Sequence, residues 1–216
     1  MHPFIHAKVM KRLCIFPLLL GLLWSTQAQA QTSGTDAPYR RFFVGSSLFM
    51  LGNFIPDDPN PPHFVQLNVG YRLTPRDVVS LEAITWRYAW PLGIPYSKGQ
   101  EAPDTKYPGY VREVGLALAY QRFWWKGVYT AVHALNAAQT YVDDNDRKVQ
   151  RGYQLFMTYR LGYHIAFWRN RLFVEPSVAM THWPINTNVP EAFARQERRW
   201  PRYFLFEPGL HFGVKF

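Results

Sequence analysis

Four glutamates are the first candidates for chemistry. Glu82, Glu113, Glu175 and Glu207 lie in segments where bulky apolar residues alternate with small or polar ones, and each falls on the small, polar side. Arg72, Arg160, His133, His164, His211 and Lys215 share that parity. Carboxylates, guanidinium groups and imidazoles on one face could relay protons or ions where water reaches them. Packed into a narrow interior they would neutralise one another instead, since an unpaired buried charge is costly. The second reading is preferred: Glu82, Glu113, Glu175, Glu207, Arg72, Arg160, His164 and His211 form an interior charge cluster that plugs the molecule and fixes register. A second basic group, Arg195, Arg198, Arg199 and Arg202, carries guanidinium forks suited to phosphate oxygens, and lipopolysaccharide phosphate is its expected contact. Asp143, Asp144 and Asp146 lack the glycine and terminal glutamate of a calcium loop, so a turn-forming segment is expected. His63, His182 and the interior histidines have no metal-ligand spacing. No catalytic residue, metal or cofactor is expected.

The elements that must position these groups are strands. From Tyr203 to Phe216 one parity reads Phe204, Phe206, Pro208, Leu210, Phe212, Val214, Phe216, and the other Tyr203, Leu205, Glu207, Gly209, His211, Gly213, Lys215. Period two over that length specifies a strand. Val65 to Leu73, Glu113 to Gln121 and Gln154 to Phe167 repeat the pattern, and further strands fit at about 41–54, 78–90, 128–141 and 172–183, giving eight. Tight turns at 74–77, 124–127 and 168–171 alternate with long connections at about 55–62, 91–109, 142–152 and 184–202. Trp124, Trp125 and Trp168 sit at the short turns, and Trp86, Trp90, Trp183 and Trp200 near the long loops, as two interfacial girdles would require. Offsets of about 93 residues relate Glu82 and Trp90-Pro91 to Glu175 and Trp183-Pro184, which suggests two related four-strand halves. The predicted fold is all-β, an eight-stranded antiparallel up-and-down transmembrane β-barrel.

Composition agrees. With 17% aromatic and 18% charged residues among 216, disorder and a coiled coil are excluded, and no apolar run reaches the roughly 18 residues of a membrane helix. Lys8, Lys11 and Arg12 precede an apolar run from Leu13 to Trp24 and an Ala28-Gln29-Ala30 end, the pattern of a secretory signal peptide cut near Ala30. Residues 1–30 are therefore read as a signal peptide, 31–40 as a short periplasmic leader and 41–216 as the barrel. Losing three basic residues with the signal peptide lowers the formal charge from +9 to +6. Cys14, the only cysteine, precedes the apolar run, so neither a lipid anchor nor a disulfide is expected. Export makes nucleic acid an unsuitable partner for the basic excess; anionic headgroups suit it better.

The segment ending at Phe216 resembles the C-terminal signature strand of bacterial outer-membrane barrels, and the whole pattern is similar to OmpA/OmpX-type eight-stranded barrels. That resemblance implies the outer membrane as location, contact with outer-membrane lipid and lipopolysaccharide, recognition of the last strand by the assembly machinery, a monomer, and a non-catalytic structural or surface-interaction role through the loops. His133-Ala134-Leu135-Asn136-Ala137 resembles the His-x-Ser-Asn-Ala segment of outer-membrane lipid A deacylases, but Leu135 stands where that family has its serine nucleophile. A lipid-modifying enzyme and a soluble periplasmic ligand-binding barrel are the two alternatives; the second would place bulky residues inside and polar residues outside.

Overall fold

A computed structural model describes residues 40–56, 60–98 and 102–216. The segment read as a signal peptide, 1–30, and all but Arg40 of the expected leader lie outside the described residues. Nine strands form one antiparallel sheet: β1 (Phe42–Ser47), β2 (Val65–Arg72), β3 (Asp77–Tyr88), β4 (Tyr110–Trp125), β5 (Val128–Val142), β6 (Lys148–Tyr163), β7 (Ile165–Phe167), β8 (Leu172–Thr187) and β9 (Tyr203–Lys215). β1 to β6 pair in chain order, β8 pairs with β6, β7 and β9, and β9 pairs with β1, which closes the sheet. β6 and β7 are one strand with a break, because both pair with β8 in the same register. The break has a local cause. Pro176 falls opposite Tyr163 in that register and has no N–H to give, so the ladder is interrupted there. The result is a ring of eight strands.

Side-chain parity follows the sequence over most of the ring. On β2, Val65, Leu67 and Val69 are exposed while Gln66, Asn68 and Gly70 are buried. On β4, Val114, Leu116, Leu118 and Tyr120 face out, and Val111, Glu113, Ala117 and Ala119 face in. The bulky residues are therefore outside and the small and polar ones inside. Gly70, Gly115, Gly162 and Gly213 sit where an added Cβ would fall within 3 Å of a neighbour, so the absence of a side chain there lets the walls approach.

Several expectations change. The strand expected at 41–54 ends at Ser47, whose hydroxyl accepts from Phe49 N–H at 3.2 Å and starts a 3-10 turn over Leu48–Phe54. The loop expected at 142–152 shrinks to a turn, in which Asp143 Oδ1 accepts from the N–H groups of Asn145 and Arg147, both at 2.9 Å. β8 runs on to Thr187 through a bulge around Trp183-Pro184, a position that tolerates proline. A short helix, α1 (Glu191–Glu197), lies within the following loop. In β9 an extra residue between the Ala179–Glu207 and Thr181–Phe204 pairs makes a bulge, and Phe206 there adopts φ 62°. Period two breaks at that point: Phe204 turns inward and Tyr203 and Leu205 face out, opposite to expectation.

The tryptophans divide unevenly. Trp124, Trp125 and Trp168 at the short-turn end are all more than half exposed. Trp183 is buried, stacked on Phe156 at 5.6 Å, and Trp86 turns its indole onto an interior glutamate. The girdle expected near the long loops is thus replaced by inward-facing indoles.

Candidate functional site

The interior has three levels. Nearest the short turns, His164 Nδ1 lies 2.6 Å from Glu175 Oε1, which also accepts from Gln121 Nε2 at 3.0 Å. Lys215 Nζ reaches His164 Nε2 at 3.1 Å and bonds Asn170. Phe123, Tyr129 and Phe173 pack around this group, with the Arg72 guanidinium over Phe123 at 4.8 Å. The register explains the central pair, since His164 and Glu175 stand opposite each other at the β6/β7 break, where the side chains can meet.

The middle level holds Glu82, His133, Arg160, Glu207 and His211. His133 Nδ1 is 3.0 Å from Glu82 Oε2; Arg160 donates to Ser177 Oγ at 2.9 Å and lies 3.8 Å from Glu207. Beneath it is a pocket of about 30 Å³, room for one water. Above it opens a cavity of about 450 Å³, walled by Ile84, Trp86, Leu135, Phe156 and Phe204 over the polar floor. A ring of eight strands is just wide enough for side chains to fill. Small residues contribute to the space, since Ala117 of β4, Thr181 of β8 and Gly209 of β9 all line it. The expected plug therefore occupies only the lower part of the interior.

At the upper end, Glu113 is 1% exposed. It accepts from Trp86 Nε1 at 2.5 Å, Tyr88 Oη at 2.8 Å and Gln139 Nε2 at 2.7 Å. Tyr88, Tyr107, Val111, Tyr141 and Phe193 pack beside it; Phe193 comes from α1, which docks the long loop into the ring. Glu197, at the end of α1, accepts from Tyr107 Oη at 2.9 Å and Asn186 Nδ2 at 3.0 Å. Burial raises the Glu197 carboxyl above its usual range despite these donors, and burial followed by the Glu197 charge pushes the Tyr107 phenol well up.

The eight residues expected in the interior cluster thus divide among levels: Arg72, His164 and Glu175 below, Glu82, Arg160, Glu207 and His211 in the middle, Glu113 above. Glu113 is held by the neutral donors Trp86, Tyr88 and Gln139, whereas histidines or an arginine stand beside the other three glutamates. Sequence parity missed Glu197, which sits in an arginine-rich loop with no periodicity, and it missed the cavity. Arg195, Arg198, Arg199 and Arg202 are all exposed. Arg198 binds Glu191 at 2.6 Å, and Arg199 bonds the Asp104 carbonyl at 2.6 Å with its carboxylate at 3.4 Å. The Arg198 hydrogen bond, and then its charge, hold Glu191 below the ordinary carboxylate range. Two of the four guanidinium groups are thus already occupied.

The histidine segment diverges in space. His133 points inward onto Glu82, whereas Asn136 faces out and accepts from Tyr153 Oη at 2.8 Å. A lipid-facing deacylase would need its histidine outside. Among the described residues no three His, Cys, Asp or Glu side chains cluster as a metal site. Comparison with family models, with curated proteins and with solved structures gives no match.

Proposed function

We propose that this chain is an integral outer-membrane β-barrel, non-catalytic, whose loops at the α1 end serve surface contacts. The observation carrying this reading is the inverted distribution of side chains on a closed sheet. Val69, Leu81 and Leu118 stand side by side on β2, β3 and β4, each at least half exposed, while Gln66, Asn68, Glu82, Glu113 and Arg160 are buried. Water would oppose such an arrangement at roughly 25 cal/mol per Å² of apolar surface, whereas hydrocarbon favours it. Closure leaves no unpaired edge along the lower wall, which a bilayer core demands. The exposed tryptophans at the short-turn end suit an interface. Arg195 and Arg202, with no carboxylate within 4 Å among the described residues, are the better placed of the four arginines for lipopolysaccharide phosphate.

Sucrose-gradient fractionation with a gel shift between unheated and boiled samples tests the proposal. Co-sedimentation with outer membranes and a heat-modifiable shift are expected. A chain recovered in the soluble fraction with one mobility would overturn it.

A further inference from the structure

Above Ser47 the ring wall changes character. β1 leaves the sheet at the Ser47–His211 pair, while β9 continues to its far end at Tyr203. Phe216 N–H donates to the Phe42 carbonyl and Lys215 N–H to that of Arg171. Below the bulge, N–H groups of even-numbered β9 residues therefore face β1. Pro208 occupies one such position beyond the last β1 pair and has no N–H to strand there. The 3-10 turn at 48–54 lies beside this seam and exposes Phe49, Leu51 and Phe54, followed by Ile55. Phe49, Ile55 and Pro208 also line the 450 Å³ cavity, so the cavity reaches the apolar outer surface here.

The floor beneath supplies the complementary half of a site. Arg160 is 9% exposed, and its Nε has no partner among the described residues; nor has His133 Nε2. His133 Nδ1 faces the Glu82 carboxylate, which only accepts. Nδ1 therefore carries a hydrogen, and the neutral form of the ring presents a lone pair at Nε2. One free donor and one free acceptor on neighbouring strands match a hydroxyl group. Glu82 and Glu207 in the same floor repel a carboxylate or phosphate. The walls above are apolar, and the volume lies within the ordinary range for small-ligand sites, about 300–1,000 Å³.

We propose that the cavity binds a single-chain amphiphile with a neutral hydroxyl head, a long-chain alcohol or monoacylglycerol, taken laterally from the bilayer through the seam between the 48–54 turn and β9. The hydroxyl donates to His133 Nε2 and accepts from Arg160 Nε–H, and the chain lies along Trp86, Leu135, Phe156 and Phe204. This rests on the membrane reading above.

The test uses the full chain folded in detergent micelles and checked by its heat-modifiable shift. Retention of radiolabelled tetradecanol, monomyristoylglycerol and myristate is measured on immobilised protein at neutral pH. Saturable retention of the alcohol and the glyceride is expected, with myristate at least about tenfold weaker, the size of one charge-assisted hydrogen bond exchanged for repulsion. Ala117→Phe fills the cavity and abolishes retention. Because overpacking can prevent folding, Ile55→Asp at the exposed seam is the second variant, and it slows uptake at least about tenfold in a folded chain. A folded, heat-modifiable protein that retains none of the three, or retains myristate as tightly as tetradecanol, overturns the ligand site alone. Uptake unchanged in Ile55→Asp overturns the lateral route. A chain that fractionates as soluble overturns the membrane reading and the route with it.

Discussion

Replacing Glu113 by alanine removes the acceptor for three buried donors at once. Trp86 Nε1, Tyr88 Oη and Gln139 Nε2 all point at its carboxylate within 2.8 Å. Each stranded donor costs about 1–3 kcal/mol, but not all are fully stranded. Gln139 Nε2 also reaches Tyr88 Oη at 3.1 Å, and Trp86 borders the cavity, where water can take its hydrogen. Relief from holding a buried carboxylate offsets part of the rest. The net expected loss is about 3 kcal/mol for Glu113→Ala. Glu113→Gln keeps one acceptor but aims an amide N–H at a donor, so it should lose about 1–2 kcal/mol. Equilibrium unfolding by urea in lipid vesicles reads both, and a cycle with Trp86→Phe isolates the indole bond at about 1–2 kcal/mol. Stability of Glu113→Ala within about 0.5 kcal/mol of the parent, or equal losses for Gln and Ala, would refute the view that this network clamps the upper ring.

Glu197 gives a pH signature. Its folded carboxyl is raised by burial, so the folded state binds the proton more readily than the unfolded one; the docked loop gains stability as pH falls through the raised value and levels off below the ordinary carboxylate range. Protection against hydrogen exchange at α1, taken relative to the intrinsic rate at each pH, should therefore rise as pH falls from neutrality through the raised value, and Glu197→Gln should be protected already at neutral pH with a flat protection profile; a steep profile in that variant would discount Glu197. Among the arginines, Arg195→Gln with Arg202→Gln should weaken lipopolysaccharide binding more than Arg198→Gln with Arg199→Gln, because the latter two already hold Glu191 and Asp104; equal losses would show that those pairs open on contact. Glu82→Gln should leave vesicles ion-tight in conductance recordings, since the Glu175, His164 and Phe173 level lies beneath it; a new pore would make Glu82 part of the seal.

Face assignment was legible where nothing interrupts the ladder. On β2 and β4 the alternation of Val, Leu and Tyr with Gln, Asn, Gly and Glu states which side packs, and the structure agrees. It failed at Tyr203 to Leu205 because one inserted residue reverses parity while the residues on both sides of it are apolar. Leu48 to Phe54 misled for a similar reason: an almost unbroken apolar run fits a strand or a helical turn, and the Ser47 cap decided for the turn. The lower ion pairs could be anticipated as a group, but which histidine meets which glutamate depends on register, a property of two strands at once. The cavity was beyond reach, because its lining brings Ala117, Thr181 and Gly209 together from strands far apart in the chain. Trp86 and Trp183 were placed outside because tryptophan near a loop suits an interface; Glu113 and Phe156 draw them inward.

The central claim, that hydrocarbon rather than water surrounds the apolar wall, is tested most directly by Leu118→Arg. Leu118 is 66% exposed, midway along β4 between Leu81 and Ala134. In a bilayer this substitution puts a guanidinium near the midplane, and urea unfolding from vesicles should show a loss of about 2–4 kcal/mol. A stability unchanged within about 0.5 kcal/mol, the ordinary result for an exposed site facing water, would contradict the account.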